Sequence, residues 1–148
     1  MKRILFILTT VSLVMLATPC QGQQTEIENI TWTPAEKEGI IRTLEFYMEG
    51  NRQADSKILA KAFAETATLS VNRNGELFSM PIQDFYAIVD GIEPGPASYT
   101  LAACSVEQDI AMLRIELELG VHKYTDMFTL VKDGSEWKIV SKVSHRHY

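Results

Sequence analysis

Cysteine is scarce in this sequence of 148 residues, which contains only Cys20 and Cys104. Cys20 follows an apolar segment at the amino terminus, and removal of that segment leaves Cys104 alone. A disulfide within the mature chain is then excluded, even in an oxidising compartment. Stability must come from a packed hydrophobic core, and the length suits one domain with one such core.

Basic residues are also few. The formal net charge is −5, no basic stripe is present, and loss of Lys2 and Arg3 with the leader would make the charge more negative by two. We therefore expect no nucleic-acid partner. Glycine-rich phosphate loops, paired metal-binding carboxylates and Ser-His-Asp arrangements are missing as well, so we predict no cofactor and no metal.

The sequence has one long apolar run, ILFILTTVSLVML, directly after the basic residues MKR. This run is shorter than the roughly 20 residues of a membrane span, and small and polar residues follow it. The order predicts a signal peptide over residues 1–22, a flexible leader over 23–33 and one domain over 34–148. The protein is then exported to the periplasm or the medium, without a membrane span. As an alternative, Cys20 is the lipid-anchored residue of a bacterial lipoprotein.

Capping and periodicity predict a long first helix. Thr33, Pro34 and Glu36 together form a capping-box start, and Gly50 is expected as the left-handed residue that ends the helix. The apolar positions between them recur at helical spacing on one face. They are Ile40, Ile41, Leu44, Tyr47 and Met48.

Shorter elements follow this helix. A second helix is predicted from Asp55 or Ser56, and a third begins at Pro81. Asn74-Gly75 predicts a tight hairpin turn, because both residues tolerate the positive φ that such turns need. Asp133-Gly134 predicts a second hairpin, which closes the domain.

The strand IAMLRIELEL, residues 110–119, alternates cleanly between apolar and polar side chains. Such alternation indicates a sheet with one buried face and one wet face. The wet face of this strand carries Arg114, Glu116 and Glu118. Helices come before most of the strands, and this grouping is typical of an α+β fold with helices packed on one face of a curved antiparallel sheet.

The closing stretch YTDMFTLVKDGSEWKIVSKV, residues 124–143, resembles the C-terminal hairpin of the NTF2-like (SnoaL-like, cystatin-like) cone fold. More narrowly, it resembles the small bacterial proteins called putative lumazine-binding. In that group an aspartate precedes an aromatic-Thr-Leu core, as Asp126 does here. A Gly-x-x-Trp-x-Ile-Val-x-Lys run then closes the domain, as residues 134–142 do. The Tyr-x-x-Gly of residues 47–50 also agrees with the group.

This resemblance covers roughly residues 36–143 and implies a fold with a pocket. A curved antiparallel sheet wraps the first helix and leaves an apolar cavity open at one end, which is the usual setting of a small-molecule site. The superfamily includes isomerases, cyclases, dehydratases, dioxygenase subunits and association modules, so the resemblance implies no single activity. A homodimer is also expected, with the open face of the sheet as its interface. The charges of Arg114, Glu116 and Glu118 on that face favour a small or polar interface.

Strand parity selects candidate site residues. If Phe128 is buried, Asp126 and Tyr124 continue its face towards the cavity mouth. On the partner strand, Trp137 is buried by the same reasoning, and the face then continues through Ser141, Val143 and His145. A bulge would exchange the two faces. The ligand-binding candidates are therefore Tyr47, Phe63, Tyr86, Tyr124, Asp126, Phe128, Trp137, Ser141 and His145.

Asp126 has three possible roles. It accepts structural hydrogen bonds or pairs with a lysine, it contacts a ligand, or it acts as a general base whose pKa is raised by an apolar cavity. In the catalytic interpretation, Tyr47 or Tyr124 donates a hydrogen bond to a developing oxyanion. The structural interpretation is the simplest of the three.

Other reactive side chains give weaker signals. His145 and His147 share a strand face, a spacing found in metal sites, but two histidines without a third ligand indicate a solvated tail. Cys104 lies among alanines and is expected to be a small buried apolar group. Three functions remain open: a domain that binds a small flat or apolar molecule, a cavity enzyme of the isomerase, cyclase or dehydratase type, and a dimeric accessory module. Because few acid-base residues are expected to converge, binding is favoured over catalysis.

Overall fold

The computed structural model describes residues 32–148, so the predicted signal peptide and nearly all of the predicted leader lie outside the described residues. No helix in this described part is long and apolar enough to cross a membrane. The helices are α1 (Pro34–Gln53), α2 (Ser56–Leu59) and α3 (Ile82–Val89). The strands are β1 (Phe63–Arg73), β2 (Glu76–Pro81), β3 (Ala97–Glu107), β4 (Ile110–Leu119), β5 (His122–Asp133) and β6 (Glu136–His147).

The six strands form one open, curved sheet in the order β2-β1-β6-β5-β4-β3. Neighbouring strands are antiparallel except for β1 and β6, which are parallel. The core lies between the concave face of this sheet and the helices. The predicted α+β cone, with its sheet wrapped around the first helix, is confirmed.

Helix α1 begins as the sequence predicts. The backbone N–H of Glu36 donates to Thr33 Oγ1 at 3.3 Å, and the backbone N–H of Thr33 donates to Glu36 Oε2 at 2.6 Å. These two bonds satisfy amide groups that the first turn would otherwise leave unpaired. The apolar stripe of α1 faces the sheet, and Ile40, Leu44 and Tyr47 are fully buried.

The end of α1 differs from the prediction. The helix continues past Gly50 to Gln53, and Ala54, at φ 52°, is the left-handed residue that ends it. Gly50 instead lies against α2, where a Cβ atom would come within 2.7 Å of Leu59 Cα. Gly50 therefore allows the two helices to pack closely, and its conformational freedom is not what the chain uses here.

The two predicted hairpin turns are present. Asn74 and Gly75 have φ values of 55° and 89° and join β1 to β2. The closing turn falls one residue later than expected, because β5 and β6 remain paired as far as Asp133 and Glu136. Gly134, with φ 60°, is the first residue of that turn.

A bulge in β6 overturns one part of the predicted inner face. Thr129 of β5 pairs with Ser141, whereas the next residue, Leu130, pairs with Ile139. Val140 is therefore an extra residue in β6, and it moves every later side chain to the opposite face. The expectation that Ser141, Val143 and His145 continue the buried face is wrong: Val143 is 49% exposed and His145 is exposed. Lys142 and Ser144 take the inward positions instead.

Candidate functional site

A cavity of 480 Å³ opens between the concave face of the sheet and α3 with the loop that follows it. Most of its lining is apolar, as expected for a small-molecule site. The apolar lining residues come from β1, α3, the loop after α3 and the end of β4, and they include Leu69, Val71, Phe85, Ile88, Val89, Ile92, Leu117 and Leu119.

A few polar side chains also line this cavity, namely Asn51, His122, Tyr124, Lys142, Ser144 and Glu93. Asn51 is held in place because its Nδ2 donates to the carbonyl of Tyr47 at 2.7 Å. Lys142 is 5% exposed and is the buried charged group among the lining residues. A ligand that enters the cavity therefore meets apolar walls and an ammonium group.

Lys142 belongs to a hydrogen-bonded cluster with Tyr47, Asp126 and Ser144. The Lys142 Nζ lies 3.1 Å from Asp126 Oδ2 and donates to the Tyr47 hydroxyl at 2.8 Å. The Tyr47 hydroxyl in turn donates to Asp126 Oδ2 at 2.7 Å, and Ser144 Oγ donates to Asp126 Oδ1. Both carboxylate oxygens of Asp126 are thus occupied.

Burial makes this cluster energetically demanding. Asp126 is 0% exposed, and a charge withdrawn from water is tolerated only when it is paired and hydrogen-bonded. Within residues 32–148, every buried side-chain nitrogen or oxygen has a hydrogen-bond partner. Burial, followed by the adjacent negative charge of Asp126, raises the pKa of Tyr47 well above its usual value. Tyr47 therefore stays protonated and continues to donate its hydrogen bond.

Lys142 lines the cavity, and its ammonium has more donors than it has side-chain partners within the described residues. A lysine ammonium carries three N–H groups. That of Lys142 donates to the Tyr47 hydroxyl and lies within ion-pair distance of Asp126 Oδ2. The Nζ also lies 4.9 Å from the centre of the Phe85 ring, a lining residue of the cavity, and 5.1 Å from the Tyr47 ring. The Phe85 ring thus packs against the ammonium. Asp126 itself is not among the cavity-lining residues.

The structure separates the predicted site residues into three groups. Tyr47, Asp126 and Phe128 come together in the core, with the Tyr47 and Phe128 rings 5.1 Å apart. Tyr124 lines the cavity. The others are not cavity-lining residues. Phe63 makes edge contacts with Tyr47 and Tyr86, and Trp137 packs on Gly39 of α1. Ser141 and His145 lie on the outer side of β6, after the bulge. Whether any of them binds a ligand stays a prediction.

Lys142 is the site residue that strand parity missed. Regular alternation from Trp137 and Ile139 places Lys142 outside, and only the extra residue Val140 turns it inward. The sequence does carry a hint, because Ile139 and Val140 are adjacent apolar residues in an otherwise alternating strand. Lys142 also matches the last position of the family run noted in the sequence.

The remaining reactive side chains lie elsewhere. The His145 and His147 rings are 4.9 Å apart, and no group of three or more metal-binding side chains occurs in the described part of the chain. Cys104 is buried in β3, and this burial raises the pKa of its thiol to about 11. At neutral pH the thiol is therefore protonated and a poor nucleophile.

The fold and the cavity together define an NTF2-like domain. Residues 35–145 match the family described as "Putative lumazine-binding". The chain therefore belongs to that family. No curated protein matches the sequence.

Solved structures agree with this assignment. An NTF2-like protein of unknown function from Shewanella baltica has 32% identity and a TM-score of 0.73, over 80% of this chain and 98% of that chain. One from Methylobacillus flagellatus has 26% identity and a TM-score of 0.73, over 81% and 98%. One from Silicibacter pomeroyi has 24% identity and a TM-score of 0.72, over 79% and 100%.

We expect the Asp126→Asn substitution to lower the free energy of unfolding by about 3 kcal/mol or more, because it leaves the Lys142 charge buried without a counter-ion. Lys142→Met should also destabilise the fold. The double variant should lose clearly less than the sum of the two single losses. Urea unfolding of the four proteins measures this coupling, and strictly additive losses would contradict the buried ion pair.

Proposed function

We propose that this domain binds a small flat or apolar molecule in the 480 Å³ cavity and does not transform it. The observation that carries this proposal is that Lys142, a residue that lines a mostly apolar cavity, has three ammonium donors but only two side-chain partners within the described residues, Tyr47 and Asp126. A carbonyl or similar acceptor on a ring would complete its hydrogen bonding, while the apolar walls would cover the rest of the ligand.

The contacts of Asp126 argue against the catalytic alternative. A general base must come within hydrogen-bond reach of the proton that it removes. The two oxygens of Asp126 already accept hydrogen bonds from Tyr47 and Ser144, the carboxylate is ion-paired with Lys142, and Asp126 does not line the cavity. The Tyr47 hydroxyl is likewise committed to Asp126. An isomerase, cyclase or dehydratase mechanism with Asp126 as base would require this cluster to open.

Binding is tested with N-phenyl-1-naphthylamine, an uncharged aromatic probe that fluoresces when it leaves water. We expect saturable binding to the wild-type protein. Ile88→Glu, which puts a charge on the cavity rim, should weaken binding about tenfold through lost apolar contact. Ile110→Glu is a matched control, because Ile88 is 51% exposed and Ile110, which does not line the cavity, is 50% exposed. Equal effects of both variants, or no saturable binding, would contradict the proposal.

Export is part of this proposal, and its support is the leader pattern in the sequence, since residues 1–22 lie outside the described residues. Expression of the full chain in a bacterium with a periplasm tests it. We expect the periplasmic protein to have the intact mass of a chain that begins at Gln23. A lipid-modified Cys20 at the amino terminus would support the lipoprotein alternative, and an uncleaved cytoplasmic product would contradict export.

We also propose that two copies pair through the outer face of the sheet. This face is less charged than the sequence suggests, because exposed apolar side chains lie beside Arg114 on neighbouring strands: Met127 is paired with Arg114 and with Val143. Exposed apolar patches of this kind are typical of interfaces, and one patch that meets its own copy forms a closed dimer.

Sedimentation equilibrium tests this pairing. We expect the wild-type protein to be a dimer and Met127→Glu to shift it to monomer, because the change places a charge in the apolar patch. Ile92→Glu is the control, since Ile92 has similar exposure but lies at the cavity. A monomeric wild-type protein, or an equal shift in both variants, would contradict pairing through this face.

A further inference from the structure

Two arginines differ from the others in the described part of the chain. Arg42, Arg52 and Arg114 each lie within ion-pair distance of a glutamate. Among the residues that the structure describes, Arg73 and Arg146 have no carboxylate within that distance. Each is stacked instead on an aromatic ring: Arg73 lies 4.1 Å from the centre of the Phe78 ring, and Arg146 lies 5.5 Å from that of Tyr148.

Sheet geometry places these two arginines side by side. Strands β1 and β6 are parallel, with Val71 paired to Ser144. Two residues further along each strand, Arg73 and Arg146 come to the same level and the same face as Val71 and Ser144. Like charges on neighbouring strands repel each other. An anion bound between them would offset this repulsion.

The arginines line a hollow of 760 Å³ that adjoins the apolar cavity. The two spaces share Val71, Ile88, Tyr124 and Ser144 as lining residues. No acidic side chain lines the hollow, whereas the chain as a whole has a net charge of −5. Glu93 lines the apolar cavity, on the loop after α3. The site therefore has an apolar part and a basic part that are continuous.

We infer that the ligand is an amphipathic oxyanion, with an apolar body in the cavity and a carboxylate or phosphate group held by Arg73 and Arg146. This inference rests on the proposed binding function and adds the chemical class of the ligand. The planar guanidinium group suits both oxyanions, because it offers two parallel N–H donors. Arg146 is further positioned by contact of its Nη2 with His122 Nδ1 at 2.8 Å. Lys142 would donate to a neutral acceptor on the apolar body of the ligand, since Asp126 already balances its charge.

Two fluorescent probes separate the anionic from the apolar contribution. 8-Anilinonaphthalene-1-sulfonate and N-phenyl-1-naphthylamine share the same aromatic body, and only the first carries an oxyanion. We expect the sulfonate to bind the wild-type protein more tightly than the neutral probe. The preference should shrink in 1 M NaCl, since exposed charges are screened at that ionic strength.

Arginine variants locate the anion contact. Arg73→Gln and Arg146→Gln should each weaken binding of the sulfonate about fivefold to tenfold, as expected for the loss of one partly exposed charge-assisted contact. Binding of the neutral probe should stay within twofold of wild type. Arg114→Gln, on the outer face of the sheet, is the matched control and should change neither affinity. The side chains of Arg73 and Arg146 are exposed, so the two variants should remain folded.

Displacement of the sulfonate probe then identifies the oxyanion. Decanoate and decyl phosphate carry the two candidate groups on the same apolar chain, and decanol is the uncharged control. Displacement by decanoate or decyl phosphate well below the concentration needed for decanol supports the inference. The one that displaces the probe at the lower concentration identifies the bound group as a carboxylate or a phosphate. Neutral-probe binding without a sulfonate preference, or without an effect of the arginine variants, overturns the inference and leaves the binding function intact. Failure of both probes to bind overturns both.

Discussion

The buried ion pair between Lys142 and Asp126 is the interaction on which the rest of this site depends. Two opposite charges inside a protein are tolerated only with close geometry and with partners for their remaining donors and acceptors. Tyr47 supplies one partner from α1 and Ser144 supplies another from β6. The pair and its partners therefore link α1 to β5 and β6, in the register that the bulge at Val140 sets.

The same pair decides what the cavity offers to a ligand. It holds the carboxylate of Asp126 away from the cavity and leaves the lysine ammonium at its surface, against the ring of Phe85. In this geometry Asp126 is the counter-ion of Lys142. The binding function that we propose uses these apolar walls and the ammonium, and the inferred anion contact lies in the basic hollow beside them.

Most of the fold can be predicted from the sequence, because its signals are local. The capping box at Thr33, the Asn74-Gly75 turn and the alternation in β4 each depend on residues a few positions apart. The failures have a different origin. The bulge at Val140 depends on pairing with β5, and the close packing at Gly50 depends on where α2 crosses α1. Strand alternation predicts the correct face for Asp126 and Tyr124 of β5. It predicts the wrong face for Lys142, because the extra residue Val140 reverses the direction of every later side chain in β6.

The placement of β6 in the sheet has a consequence for how the domain folds. This strand is the last in the chain, yet it lies in the middle of the sheet, between β1 and β5. A chain that stops before Glu136 would possess two separate pieces of sheet, β2-β1 and β5-β4-β3, with no strand to join them. Joining them brings the two ends of the domain together, a closure that is entropically costly and slow. The cavity and its ion pair therefore form only when β6 is in place, because β6 supplies Lys142 and Ser144.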